Sequence, residues 1–375
     1  MPIRAEVLEE MLPLFKEHFG NPSSIHEMGR VPREAMDKAR GEVASLISSS
    51  PDEIVFTSGA TESINLALRG PLIHLDGRKK VLITEADHRS VRATADALSK
   101  SGYDVGIIGI DALGAIDLES ASDLIDDNTA IVTLPFASNE VGTIQPVREI
   151  AGMAHDAGAL VHVDLTMSAL QVPFDVNNYK VDLATISSPD LMGPKGTGAL
   201  FKRKGVGLTP IIRGGGQEMG LRSGSENIHG IVGMGAAARI ALQTMEETSS
   251  RLLMLRDRLI DGLTSIDDSH LNGDPEKRLP NNANIRFDYV EGESMLLLLD
   301  MNRISISTGS ACAQKTLEAS KTLLAMGLKH EEAHGSLIFT LGPYNKEEDV
   351  DHVKIVMPDI VQELRSMSPI YPGRG

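Results

Sequence analysis

The stretch EIVFTSGATESINLALRG (53–70) decides the fold. Its first part, EIVFTS (53–58), is short, β-branched and apolar at successive positions, as a strand covered on both faces must be. Small residues follow at Ser58, Gly59 and Ala60. From about Thr61 the apolar residues Ile64, Ala67 and Leu68 recur at helical spacing. A strand that turns into a helix through small residues is half of a βαβ unit.

The same alternation extends outward. Further strand-like runs are KVLITE (80–85), DVGIIGI (104–110), AIVTLPF (130–136), LVHVD (160–164), LATISS (183–188) and GALFKR (198–203). Helical patterns such as SVRATADALSKSG (90–102) and VREIAGMAHDAG (147–158) lie between them. The expected large domain is therefore α/β, with a mostly parallel seven-stranded sheet flanked by helices. A long helical pattern follows from about Ile228 to Ile266, apolar and Ala-rich first, then amphipathic, and reads as a bridge between domains. Beyond it ANIRFDY, SISTGSA, GSLIFTLG and EEDVDHVKIVMPDIVQELRSM suggest a smaller α+β domain. The expected division is 14–250 for the large domain, with 1–13 and 251–375 forming the small one around Cys312. The N-terminal pattern VLEEMLPLFKEHFG is expected to pack on the small domain.

Composition narrows the function. The 375 residues suit two domains, and 41% apolar residues suffice for a core. A net charge of −16 argues against nucleic acid or an anionic membrane as the main partner. The sequence has no apolar run long enough for a membrane span and no signal-peptide pattern. With one cysteine, neither an internal disulfide nor a multi-cysteine zinc site is available within one chain. The default reading is a soluble cytoplasmic protein.

In sheets of this class, ligands sit at the carboxyl ends of the strands, near the topological switch. SGATES (58–63) ends a strand and opens a helix, so its backbone N–H groups form a ready anion site, or simply a capped turn. His88 follows the second strand and Asp164 ends the fifth. Each alone is as well explained by structure, yet together they supply what a pyridoxal phosphate site needs: a phosphate cradle, an imidazole and a carboxylate for the ring nitrogen. Cys312, in SISTGSACAQKT, has small polar neighbours and reads as an exposed loop thiol with Lys315 nearby. GGGQEMGLRSGSEN (214–227) suits a loop approached by a ligand or another subunit. HEEAH (330–334) fits the zincin spacing. Its context is one short helix between Gly327 and Gly335, whereas a zincin needs a long helix and a third ligand, so a zinc hydrolase is disfavoured.

Taken together, FGNPSSIH (19–26), IVFTSGATESINLAL (54–68), TEADH (84–88), SNEVGTIQP (138–146), HVD (162–164), GPKGTGALF (193–201), GGGQE and LRSGSEN (214–227), PNNANIRF (280–287), EGES (291–294) and STGSAC (307–312) run in one family's order over nearly the whole chain. The chain resembles the cysteine desulfurases of iron–sulfur cluster assembly, in the class V aminotransferase-like group of fold type I pyridoxal phosphate enzymes. The resemblance implies a homodimer that binds pyridoxal phosphate through a lysine Schiff base. It implies a persulfide on a loop cysteine, passed to a scaffold protein. By motif, Cys312 matches that cysteine, His88 the imidazole stacked on the cofactor, Asp164 the partner of the ring nitrogen and Asn139 the neighbour of the phenolic oxygen. Ala60, Thr61 and Ser187 match phosphate contacts. Ser225 stands where the neighbouring subunit usually offers a threonine.

Four positions depart from the pattern. The Schiff-base lysine reads Asp190, the phosphate-binding histidine Pro189, the cofactor-contacting glutamine Met167 and the substrate-clamping arginine Ile338. An aspartate can perform neither amine step, and an isoleucine cannot bind a carboxylate as an arginine does. The resulting expectation is a desulfurase-like protein whose own desulfuration is weak or lost. Cys312 would then serve as sulfur carrier or as ligand of a 2Fe–2S cluster shared with a scaffold. The alternative is an active enzyme that binds pyridoxal phosphate without a covalent bond.

Overall fold

The computed structural model describes residues 1–309 and 319–372. The chain divides into two compact units, one of Met1–Ile108, Leu118–Phe136 and Pro146–Met245, the other of Gly109–Asp117, Ala137–Gln145 and Glu246–Gly375.

The first unit holds one seven-stranded sheet. Its strands are β1 (Ile54–Thr57), β2 (Lys80–Thr84), β3 (Asp104–Ile108), β4 (Thr129–Pro135), β5 (Leu160–Asp164), β6 (Leu183–Ser187) and β7 (Gly198–Lys202). Their order is β1-β7-β6-β5-β4-β2-β3. β7 runs antiparallel to both its neighbours and the other pairings are parallel. All seven strand-like runs of the sequence are therefore strands. β4 is buried at every position, as two-sided helix cover demands. The Ala60–Arg69 and Arg89–Lys100 helices turn Ile64, Leu68, Val91, Ala95 and Leu98 into a core with Val81, Ile131 and Leu200. Each such fully buried aliphatic side chain contributes about 1.5–3 kcal/mol.

The long helix spans Ile228–Thr264. Its first half is rich in small residues for a packing reason: a Cβ on Gly235 would stand 2.5 Å from Ala39 Cα, so the Glu27–Leu46 helix lies against it backbone to backbone. The division between units falls inside this helix, after Met245.

Residues 1–13, expected with the small domain, fall in the first unit. The Ala5–Met11 helix is tied there by charge and by backbone. Glu10 meets Arg239 and Lys38, and Arg4 N–H donates to Met192 O at 3.1 Å.

The second unit has an antiparallel sheet in the order β10-β9-β8, made of β8 (Ser269–Asn272), β9 (Asn282–Phe287) and β10 (Ser336–Thr340). Leu252, Leu255, Leu259 and Leu263, at helical spacing, pack with Ile285, Phe287, Leu337 and residues of the Glu347–Met367 helix. No helix among the described residues is long and apolar enough to cross a membrane.

Candidate functional site

In the first unit, strand register brings the sequence motifs to one edge. Thr57, at the end of β1, and Ser187, at the end of β6, both pair with Gly198 of β7. The carboxyl ends of β1 and β6 are therefore two strand spacings apart, about 10 Å. β5 ends beside them, with Asp164 opposite Thr185.

SGATES turns here as expected, with the helix starting at Ala60. Its N-cap is Gly59, which has φ +146°, a conformation that favours glycine, and offers no side chain to cap the helix. A Cβ at Gly59 would meet nothing within 4 Å. Ala60 is half-buried and Thr61 exposed at the start of this ten-residue helix, whose first N–H groups have no carbonyl of their own helix to bond, the arrangement that suits an anion. A missed pair supports this turn. Glu62 accepts from Ser58 N–H at 2.8 Å and from Arg222 Nε at 3.0 Å. Burial acts to raise Glu62, but these bonds bring it below the usual carboxylate value.

His88 is the N-cap of the Arg89–Lys100 helix. Its Nδ1 accepts from Ser90 N–H at 3.1 Å, which leaves Nε2 to carry the proton of the neutral ring. The ring is exposed and acts electrostatically on Asp164. Asp164 is buried, and its Oδ1 accepts from both Thr166 N–H (2.9 Å) and Thr166 Oγ1. Burial pushes Asp164 upward, against the Thr166 bonds and His88.

Asp190 lies in the short 3₁₀ turn Pro189–Leu191 just after β6. It is half-buried and hydrogen-bonded with Ser187, and it shares electrostatic range with Asp164. Burial first and Asp164 second drive its carboxyl upward, against the Ser187 bond. A third carboxyl was not singled out from the sequence. Asp87 is buried, with Oδ2 accepting from Thr84 N–H (2.7 Å) and Thr84 Oγ1 (3.1 Å) while Oδ1 has no partner. Burial holds Asp87 up at about 8, and Asp164 adds to the rise. This edge of the sheet therefore combines an open helix N-terminus with an imidazole and three carboxyls that resist ionisation.

The other expected residues are placed as follows. Pro189 and Met167 are half-buried in the first unit, and Ser225 is exposed there. Lys195 is exposed on the turn before β7. Asn139 and Ile338 belong to the second unit. Ile338 is buried in β10, and its N–H donates to Ser307 O at 2.7 Å. Cys312 lies outside the described residues. In GGGQE the three glycines are exposed, while Glu218 turns inward. Arg40 grips it with two bonds of 2.7 and 2.8 Å, and Phe56 N–H donates to it at 2.7 Å. HEEAH forms a helix of five residues, and among the described residues no three His, Cys, Asp or Glu cluster as a metal site.

Residues 2–353 match the family described as aminotransferase class-V. The chain belongs to that family. This class-V chain is 52% identical over 371 residues to cysteine desulfurase IscS 1 of Archaeoglobus fulgidus, which covers 99% of this chain and 97% of that one. It is 45% identical over 372 residues to cysteine desulfurase IscS of Methanosarcina thermophila, covering 99% and 92% of the two chains. Among solved structures, a NifS-like protein superposes with a TM-score of 0.91 at 37% identity over 97% of each chain. The class-V fold expected from the sequence, with its seven-stranded sheet flanked by helices, is thus the fold of solved relatives.

Proposed function

We propose that this class-V chain is a cysteine desulfurase-like protein of iron–sulfur cluster assembly whose own desulfuration is weak or absent. Cys312 would serve as a sulfur carrier or as a cluster ligand toward a scaffold protein, within a homodimer. The relatives named cysteine desulfurase support the setting. The observation that carries the rest is Asp190, a half-buried carboxyl beside Ser187 and Asp164 at the position matched to the lysine.

The donor set of the first unit fits part of pyridoxal phosphate. The Gly59 N-cap would hold its phosphate and Asp164 would hold the proton of its ring nitrogen, with His88 at the ring face. When bound, that cofactor supplies an electron sink for bonds at an amino acid's α-carbon. The covalent anchor is what the residues do not fit. A carboxyl cannot replace an amine in bonding to an aldehyde, and an ionised Asp190 would repel an anionic ligand. Ile338 likewise offers no charge to a substrate carboxylate. A thiolate at Cys312 needs none of these groups to take the outer sulfur of a donor persulfide, whose own sulfur leaves as the thiolate, or to bind iron, since thiolate is a soft ligand, and partner residues would complete a cluster's four ligands.

A second reading has its own support. The open Gly59 cradle and buried Asp164 would suffice to hold pyridoxal phosphate non-covalently, leaving an active enzyme. Visible absorbance of the purified protein, before and after adding pyridoxal phosphate, tests both readings beside an Asp190→Lys variant. The parent is expected to stay colourless while the variant gains a band. A parent that shows bound cofactor, with a band that changes on adding cysteine, overturns the first reading in favour of the second.

A further inference from the structure

The candidate site of the first unit sets an anion cradle beside a carboxyl. A Cβ on Gly198 would stand 2.7 Å from Gly59 Cα and 2.9 Å from Ile186 O, so the N-cap of the Ala60–Arg69 helix and the end of β6 close on one point from two sides. Ser187 follows Ile186, and Asp190 is hydrogen-bonded with Ser187. The Asp190 carboxyl is thereby tied next to the Gly59 turn, and all these residues belong to the first unit. The helix N-terminus attracts an anion that an ionised Asp190 repels. A ligand that suits both is anionic at one end and cationic at the other.

The acids here have no cation bonded to them. Among the described residues no Lys or Arg is ion-paired with Asp87, Asp164 or Asp190. Arg92 acts on Asp87, but its ion pair is with Glu85, and the Met1 amino group acts on Asp190 less strongly than Asp164 does. Asp87 is an independent sign of a missing donor. It is 4% exposed, it lies within electrostatic range of Asp164, and its Oδ1 has no partner. Among the described residues no three His, Cys, Asp or Glu cluster to hold a metal ion, whereas an ammonium needs only one carboxylate.

We propose that Asp190 is a specificity-determining residue that selects pyridoxamine phosphate over pyridoxal phosphate, with the phosphate at the Gly59 turn and the ligand's ammonium at the Asp190 carboxylate. The proposal rests on the reading of this edge as a pyridoxal phosphate-type site without a covalent anchor. Asp190 stands at the position matched to the lysine that would bond to the aldehyde. The amine form carries its ammonium at that same carbon. Burial and Asp164 both disfavour the ionised Asp190 carboxyl, and a ligand ammonium offsets both. Binding is by charge and hydrogen bonds alone, and no covalent bond forms or breaks.

Isothermal titration of the purified full chain tests this with two probes that share a ring and a phosphate. Pyridoxamine phosphate carries the ammonium, and pyridoxine phosphate carries a hydroxyl in its place. The parent should bind the amine about tenfold tighter or more. Asp190→Asn keeps the size of the side chain and an oxygen acceptor for Ser187 but removes the charge, and should bring the two probes within about twofold of each other. The readout is the ratio of the two affinities, because a merely structural Asp190 would change both alike. Equal binding of the two probes by the parent, or an Asp190→Asn ratio equal to the parent's, overturns the proposal and leaves the phosphate cradle standing. A parent that binds neither probe overturns the reading of this edge together with the proposal, while the role of Cys312 is tested apart from both by absorbance with pyridoxal phosphate and cysteine.

Discussion

Asp87 sets a pH dependence that one substitution should remove. Its carboxyl is buried and stands at about 8 in the fold, against 3.8 for the unperturbed group. Below 3.8 both folded and unfolded chains hold the proton. Between 3.8 and 8 only the folded chain does, so folding takes up a proton and stability falls as pH rises, levelling off above 8. One proton corresponds to about 1.4 kcal/mol per pH unit, so from pH 5 to pH 7 Asp87 lowers stability by about 3 kcal/mol. Asp87→Asn keeps the acceptor for Thr84 and removes the titration. Asp164 and Asp190, which are raised as well, remain in both proteins. The difference between parent and variant therefore isolates Asp87. The assay is denaturant unfolding at pH 5, 6 and 7, comparing the slopes of stability against pH. Parallel profiles for parent and Asp87→Asn would refute the reasoning, because they would mean that Asp87 ionises alike in both states.

Two further predictions follow from close packing and from a buried ion pair. Gly198→Ala would place a Cβ 2.7 Å from Gly59 Cα and 2.9 Å from Ile186 O, backbone atoms that cannot rotate away. It should cost about 1–3 kcal/mol. Inorganic phosphate is expected to raise the melting temperature of the parent and not of this variant; a parent whose melting phosphate leaves unchanged, or a variant that phosphate stabilises as much as the parent, would sink this account of the cradle. Glu218→Ala would leave Arg40, whose side chain is 13% exposed, without its carboxylate, and Phe56 N–H without its acceptor. The expected loss in denaturant unfolding is about 3–5 kcal/mol, and a loss below about 1 kcal/mol would show that Arg40 finds water or another partner.

Much of this molecule is written locally. Every strand of the large sheet and the long Ile228–Thr264 helix follow from periodicity and β-branching within a dozen residues, because burial on both faces leaves its pattern in the run itself. The SGATES turn is equally legible, since Gly59 and the first helical residues are neighbours in sequence. His88 and Asp164 could be nominated by their places after strands.

What the sequence misplaced or left undecided depends on partners far along the chain. The placement of the N-terminal helix rests on Glu10 meeting Arg239, over two hundred residues away. Glu218 sits in a glycine-rich stretch that suggests an exposed loop, and Arg40 draws it inward. Asp87 looks like any acid beside a histidine until β2 and its neighbours enclose it and leave one oxygen unpaired. Periodicity reports which face of an element is apolar. The burial of a charge, and the group that answers it, are set by elements that meet only in the folded chain.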